Sequence, residues 1–267
     1  MLDRREALAV AARAVADFYD GLAADYHLVW EDRWDEAVQW QGGALDELIR
    51  SRRPQANAVL DCSCGIGTQA IGLSLHGYRV HGTDISEASI ERARVEAARL
   101  GADVSFGVAD FRDLGDVSGE FDVVISCDNA LPHLLDDDDL LKAFRSMRSK
   151  LSPGGLLLIS TRDFDRALVD RPSAPVIQAV AGPPRRLIVR LHDWDAPDSS
   201  LYTVRFLILT ETATGWTLAE HSTRYRAVPS EALAEAARQA GFSQPSWISA
   251  TGAGYHQPVM LAERPDH

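Results

Sequence analysis

The stretch Asn57–Asp84, NAVLDCSCGIGTQAIGLSLHGYRVHGTD, constrains this chain more than any other. Val59 and Leu60 end a short apolar run that reads as a buried strand, with Asp61 at its carboxyl end. Cys62 to Gly67 form a tight glycine-bearing loop, and from Thr68 a helical pattern runs to about His76. A second strand, Tyr78 to Gly82, delivers Asp84 at its own carboxyl end. In open α/β sheets, ligands bind outside the carboxyl ends of the strands, at a topological switch point. Gly65 and Gly67 allow the backbone to approach a ligand where a Cβ would clash. Asp84 is placed to accept hydrogen bonds from two ribose hydroxyls, so the stretch reads as a nucleoside-binding site.

Gly65-Ile66-Gly67-Thr68-Gln69-Ala70 formally fits the dinucleotide fingerprint G-x-G-x-x-[GA]. Two details count against NAD. The first glycine comes several residues after the strand, and the Asp61 carboxylate would repel a pyrophosphate while suiting a cationic amine. The pattern D-x-x-x-G-x-G, followed by an acid after the next strand, resembles motifs I and II of the class I S-adenosylmethionine-dependent methyltransferases.

The rest of the chain limits the alternatives. Its 267 residues are enough for one large domain or a domain with an insertion. A net charge of −12 argues against a nucleic-acid or anionic-membrane partner. No run approaches the length of a membrane span, and the amphipathic, acid-bearing N-terminus does not resemble a signal peptide. Three cysteines, an odd number, fit a reducing, cytoplasmic compartment. Cys62 and Cys64 lack zinc spacing, and the acidic run Asp136–Asp139 reads as a helix start, so no metal site is expected.

In chain order, residues 4–24 and 34–50 read as helices, with Trp30, Trp34 and Trp40 around the start of the second. Ser86 is a good N-cap for a helix over 87–100 that Gly101 closes. A strand over 103–108 leads to Asp110 and Phe111, an acid and an aromatic suited to an adenine amine and ring. Phe121–Ser126 forms the next strand and delivers Cys127 to His133 at the same sheet edge. Ser152–Gly155 reads as a turn before a strand Leu156–Thr161. Prolines 172, 175, 183 and 184 mark an irregular link. Three alternating segments follow: Arg186–Trp194, Tyr202–Glu211 and Trp216–Arg226. A helix from Pro229 to Ala240 and strands Ser246–Ala250 and His256–Ala262 complete the chain.

The order of elements is similar to the methyltransferase fold along most of residues 55–263. The expected architecture is α/β, a doubly wound, Rossmann-like seven-stranded sheet with an N-terminal helical lid (1–54). The core occupies 55–165 and 229–263, and an antiparallel β meander is inserted at 166–228. A closer resemblance is to the glycine/sarcosine N-methyltransferases. It is carried by FYDGLAADYH before the first strand, DNALPHLL after the fourth, and Thr161-Arg162-Asp163-Phe164-Asp165 after the fifth. The resemblance implies that Asn129 and Arg162 hold the acceptor, with the arginine on its carboxylate. It matches His133 to a histidine near the cofactor, and sets Tyr19 and Tyr26 in the segment that closes over the methionine half. Ala130 and Asp163 depart from the family pattern.

The expected cofactor is S-adenosyl-L-methionine, with S-adenosyl-L-homocysteine as product. The candidate cofactor contacts are Tyr19, Tyr26, Asp61, Cys62, Gly65, Gly67, Asp84, Ile85, Asp110, Phe111 and Asp128. His133 and Asp128 are candidate bases for an amine nucleophile. Asn129, Arg162, Trp194, Tyr255 and Gln257 are candidate acceptor contacts, Trp194 because its ring and flanking acids suit a cation. The implied reaction is methylation of a small amine or amino acid. O- or C-methylation of a natural-product intermediate, an NAD-dependent oxidoreductase, and a non-catalytic cofactor-binding subunit stay open as alternatives, as does assembly into a homo-oligomer.

Overall fold

The structure, a computed structural model, describes residues 4–31, 33–174 and 176–266, which leaves Pro175 of the irregular link outside the described residues. The chain opens with helix α1 (Arg4–Leu22), a 3-10 turn (Tyr26–Trp30) and helix α2 (Trp34–Arg52). Strands and helices then alternate: β1 (Ala58–Asp61), α3 (Thr68–Leu75), β2 (Arg79–Asp84), α4 (Glu87–Leu100), β3 (Val104–Val108), β4 (Phe121–Ser126), α5 (Asp137–Lys150) and β5 (Leu151–Ser160). After α6 (Phe164–Asp170) come four strands, β6 (Val176–Val180), β7 (Arg186–Trp194), β8 (Leu201–Thr212) and β9 (Gly215–Arg226). The chain closes with α7 (Ser230–Gln239), β10 (Ser243–Ile248), α8 (Ala250–Ala253) and β11 (Val259–Glu263).

The main sheet has seven strands in the order β10-β11-β5-β4-β1-β2-β3. β1 to β5 run parallel, and β11 enters antiparallel between β5 and β10. Every residue of β1 is buried, as expected for a central parallel strand covered on both faces by helices. β1 pairs with β2 on one side and β4 on the other. The chain reverses its winding there, and the crevice lies at that point. The loops after β1, β2, β3 and β4 therefore share one edge.

Local chemistry sets the element boundaries. The Ser86 hydroxyl accepts from Ser89 N at 3.0 Å and caps α4, which Gly101 ends in the left-handed region at φ +70°. Asp136 caps α5 by accepting from Asp139 N at 2.8 Å. α2 lies so close to α3 that a Cβ on Gly72 would stand 2.5 Å from the Val38 carbonyl oxygen.

Four expected boundaries need correction. The turn at Ser152–Gly155 lies inside β5, where the pairing with β4 shifts register between Phe121 and Val123. The inserted sheet has four strands, because β6 pairs antiparallel with β7. Helix α6, capped by Asp163, occupies the stretch before it. The last two strands are Ser243–Ile248 and Val259–Glu263, separated by α8. On β8, Tyr202, Val204, Phe206 and Ile208 are buried at alternate positions, and they pack with Phe18, Leu22 and Leu28 from the N-terminal segment. α1 is thus held between the inserted sheet and the main one.

Candidate active site

Two cavities open side by side along the carboxyl edge of the main sheet. The larger, about 310 Å³, is lined by the loop after β1 (Cys62–Ile66), by Asp84 and Ile85 after β2, by Asp110 and Phe111 after β3, and by Asp128 and His133 after β4. Tyr19 and Val15 of α1 and Tyr26 of the 3-10 turn cover it. The smaller, about 120 Å³, is lined by Tyr26, Trp30, Asn129, Arg162, Arg190, Tyr225, His256 and Gln257, among others. Tyr26 and Asp128 belong to both walls and mark the junction.

The floor of the larger cavity follows from the glycine loop. Gly65 has φ +52°, and a Cβ built on it meets no atom within 4 Å, so its open side faces free space. Gly67 plays a different part from the one expected. It does not line the cavity, but sits at φ +94° as the N-cap of α3, with Ile71 Cδ1 only 3.0 Å from a built Cβ. Asp84 Oδ2 accepts from Gly65 N at 2.8 Å and Oδ1 from Ser86 N at 3.0 Å, which fixes the carboxyl beside the loop. Burial raises its pKa.

Asp61 also departs from expectation. It is fully buried beneath the loop and off the cavity wall, so it offers the cavity no exposed charge. Burial pushes its pKa up to about 8, which leaves it mostly protonated at neutral pH. Its Oδ1 accepts from Ser63 N at 3.3 Å, and its Oδ2 has no partner.

After β4 the backbone takes two successive left-handed residues, Asp128 at φ +59° and Asn129 at φ +71°. This region is sparsely populated by non-glycine residues, though Asn and Asp tolerate it best. The turn directs the two side chains differently. Asn129 Oδ1 accepts from Arg162 N at 2.8 Å, fixing the arginine's backbone. Asp128 Oδ2 accepts from Gln69 Nε2 at 2.8 Å, and its Oδ1 lies 2.9 Å from His256 Nε2. Gln69 also donates to Gln41 Oε1 at 2.6 Å, as does the Tyr255 hydroxyl at 2.6 Å. Tyr255 is therefore buried support 3.1 Å from Asp128 Oδ1, and it does not line either cavity. Gln257 lines the smaller cavity and accepts from Ser160 Oγ at 3.2 Å.

His133 is hydrogen bonded through Nε2 to the Tyr19 hydroxyl at 2.9 Å and through Nδ1 to Thr223 Oγ1 at 3.4 Å. Burial lowers its pKa to about 3, so the imidazole is neutral and a poor proton acceptor. Trp194 is a second correction. It stands outside both cavities, stacked on Tyr202 at 4.5 Å, and the cation over its ring is the chain's own Arg171 at 4.7 Å. The flanking acids that suggested a cation site are engaged by Arg205 and Arg224.

The sequence reading also missed several residues. Arg112 holds Asp110 with Nη2 2.6 Å from Oδ2 and reaches Asp139 Oδ2 at 2.5 Å. Gln41 and Gln69 are buried amides within helices, a signal available in their helical spacing. Arg190, His256 and Tyr225 come from the inserted sheet and the loop before β11. Nothing in their local pattern separates them from ordinary strand and loop residues.

Comparison with known proteins decides the family. The model of a methyltransferase domain matches residues 59–155. The dTDP-4-amino-2,3,4,6-tetradeoxy-D-glucose N,N-dimethyltransferase of Saccharopolyspora spinosa is 30% identical over 198 residues, covering 74% of this chain and 73% of that protein. This chain belongs to the class I S-adenosylmethionine-dependent methyltransferases. Among these methyltransferases, the glycine/sarcosine N-methyltransferase of Parasynechococcus marenigrum (strain WH8102) is 32% identical over 154 residues, 56% of this chain. The chain matches about half the length of that relative, 55%. The fold is shared with a solved S-adenosylmethionine-bound amino pentose methyltransferase from Micromonospora echinaspora. That likeness has a TM-score of 0.69 at 21% identity and covers 84% of this chain and 91% of that one.

The residues fit the methyltransferase cofactor. The open side of Gly65 leaves room for close approach, Asp84 borders the cavity as an acceptor for hydroxyls, and Asp110 and Phe111 pair an acceptor with an aromatic face. Among the described residues no helix is long and apolar enough to cross a membrane.

Proposed function

We propose that this methyltransferase methylates the nitrogen of a small amine that also carries an anionic group. The observation that supports the reading is the junction of the two cavities at Asp128 and Tyr26, with a nucleoside-type wall on one side and Arg162 on the other. S-adenosylmethionine in the larger cavity supplies a methyl group on a positively charged sulfur. Asp84 accepts from the ribose hydroxyls, Asp110 from the adenine amine, and Phe111 covers the ring. Tyr19 and Tyr26, whose hydroxyls burial keeps protonated, close the cavity as neutral donors. The described residues of 4–54 act as a cover over this side, and those of 166–228 form the roof of the acceptor side.

The amine must present a lone pair. His133 is too weak a base for that task, so the amine is bound in its neutral form, and Asp128, at the junction, accepts a hydrogen bond from its N–H while three neighbours hold the carboxylate still and leave the lone pair free for the methyl group. Arg162 holds the acceptor's anionic end. Catalysis is then mainly positioning, which can supply roughly 7–11 kcal/mol of barrier reduction. The two N-methyltransferase relatives support nitrogen as the acceptor atom.

Calorimetric titration with S-adenosylhomocysteine tests the cofactor side. Micromolar binding that is lost in Asp84→Ala is expected. Amines, beginning with glycine and sarcosine, are then screened for the mass of one added methyl group, and fragmentation of the product assigns the atom. Binding of NADH in place of S-adenosylhomocysteine would sink the reading, and a methyl group on oxygen or carbon would move the acceptor class.

A further inference from the structure

The smaller cavity holds an excess of cationic and donor groups. Arg162 and Arg190 both line it, and among the described residues neither has a carboxylate ion-pair partner. Arg162 Nη1 is 3.1 Å from His192 Nε2. A guanidinium has only donors, so the imidazole accepts there and stays neutral. Burial and the two nearby arginines drive the pKa of His192 down to about 3. Arg190 lies against the Phe206 ring at 4.8 Å, and its buried Nε has no partner. Burial first, and Arg162 second, lower its pKa. The indole N–H of Trp30, on the same wall, is also without a partner. Among the described residues the only carboxylate on this wall is Asp128, which Gln69 and His256 already engage.

Unpaired buried donors and uncompensated buried charges are costly, and native structures retain them where a ligand completes the set. Two guanidiniums and an indole N–H offer more donors than one carboxylate can accept. We infer that the acceptor carries a compact, doubly charged oxyanion head, a phosphate monoester or a pair of carboxylates, held between Arg162 and Arg190. The inference rests on the smaller cavity being the acceptor side. The cavity volume of about 120 Å³ favours a head of a few heavy atoms. Planar guanidinium forks match either oxyanion geometry, which a lysine pair would not. Arg190 thereby becomes a specificity determinant.

The test is calorimetry on the full chain saturated with S-adenosylhomocysteine, with glycine, ethanolamine, aspartate and O-phosphoethanolamine as probes. At least one dianionic probe is expected to bind on the order of tenfold or more tighter than glycine. Aspartate and O-phosphoethanolamine distinguish the two sources of the charge. In Arg190→Gln the advantage is expected to disappear, and in Arg190→Lys to return in part. Retained S-adenosylhomocysteine binding in each variant shows that it is folded. If Arg190→Gln does not fold, Arg190→Lys alone carries the comparison, with a reduced advantage expected. Glycine binding as tightly as either dianion, an advantage that persists unchanged in the Arg190 variants, or no binding of either dianion would overturn the inference. Failure of S-adenosylhomocysteine to bind the native chain would instead overturn the methyltransferase reading, and the inference with it.

Discussion

Two side chains show how burial changes a carboxyl's role. Asp84 and Asp61 both end strands at the sheet edge, yet only Asp84 reaches the cavity wall. Asp61 keeps its proton because nothing charged compensates it in the folded chain. The consequence for stability has a definite sign. Its folded pKa of about 8 lies above the ordinary aspartate value, so between those limits the folded chain holds a proton that the unfolded chain has lost. The stabilising contribution is complete in acid, falls by about 1.4 kcal/mol per pH unit through the window, and is gone above the folded pKa. Urea unfolding of the ligand-free protein across this range is expected to show Asp61→Asn gaining on the native chain as pH rises. A constant difference between the two would show that the carboxyl is not held protonated. His133 differs in kind, since its low pKa leaves no titration near neutrality and no limb in a pH–rate profile.

The helices behind the glycine loop carry a second testable feature. α3 begins at the loop and is pressed against α2 through glycines on both, with a built Cβ on Gly72 meeting Val38 O at 2.5 Å and Gly42 Cα at 2.8 Å. Neither contact is to a flexible side chain, so the backbones must separate to admit a methyl group. Gly72→Ala is expected to cost about 1–3 kcal/mol by overpacking. It should also weaken S-adenosylhomocysteine binding, because Gln69 on α3 supports Asp128. Thermal unfolding with a parallel titration checks both, and an unchanged melting temperature would show that the helices have room to part. The missed elements are explained at this level too. α6 is seven residues long and β6 five, too short for periodicity to stand out beside prolines.

The molecule as a whole encloses its site between pieces far apart in sequence. α1 covers the larger cavity with Val15 and Tyr19, and is tied down by Asp20 Oδ1, which accepts from the Ser86 hydroxyl at 2.7 Å and from Ala88 N at 3.2 Å. Its second half is also packed on the inserted sheet through Phe18 and Leu22, whereas Val10 in its first half is 57% accessible. A ligand beneath it adds contacts in the folded state alone and should lower its opening rate. Hydrogen exchange in residues 15–22 is expected to slow on the order of tenfold with S-adenosylhomocysteine, while α5 is unchanged. Equal exchange with and without ligand would show that α1 is not a cover.

Much of this was legible in the sequence, for a physical reason. Apolar runs, the glycines at 65 and 67, the cap at Ser86 and the acids at strand ends are local signals. They yielded the strand–loop–helix unit, the alternating core and most of the lining of the larger cavity. Only the tertiary structure decided what each polar group does once surrounded. Tyr255 and Gln41, 214 residues apart, meet behind Asp128, while Trp194 turns away to a cation of its own chain. Arg190 lines the smaller cavity with no carboxylate partner among the described residues. Burial and partner choice depend on contacts between distant segments, and no pattern within one segment encodes them.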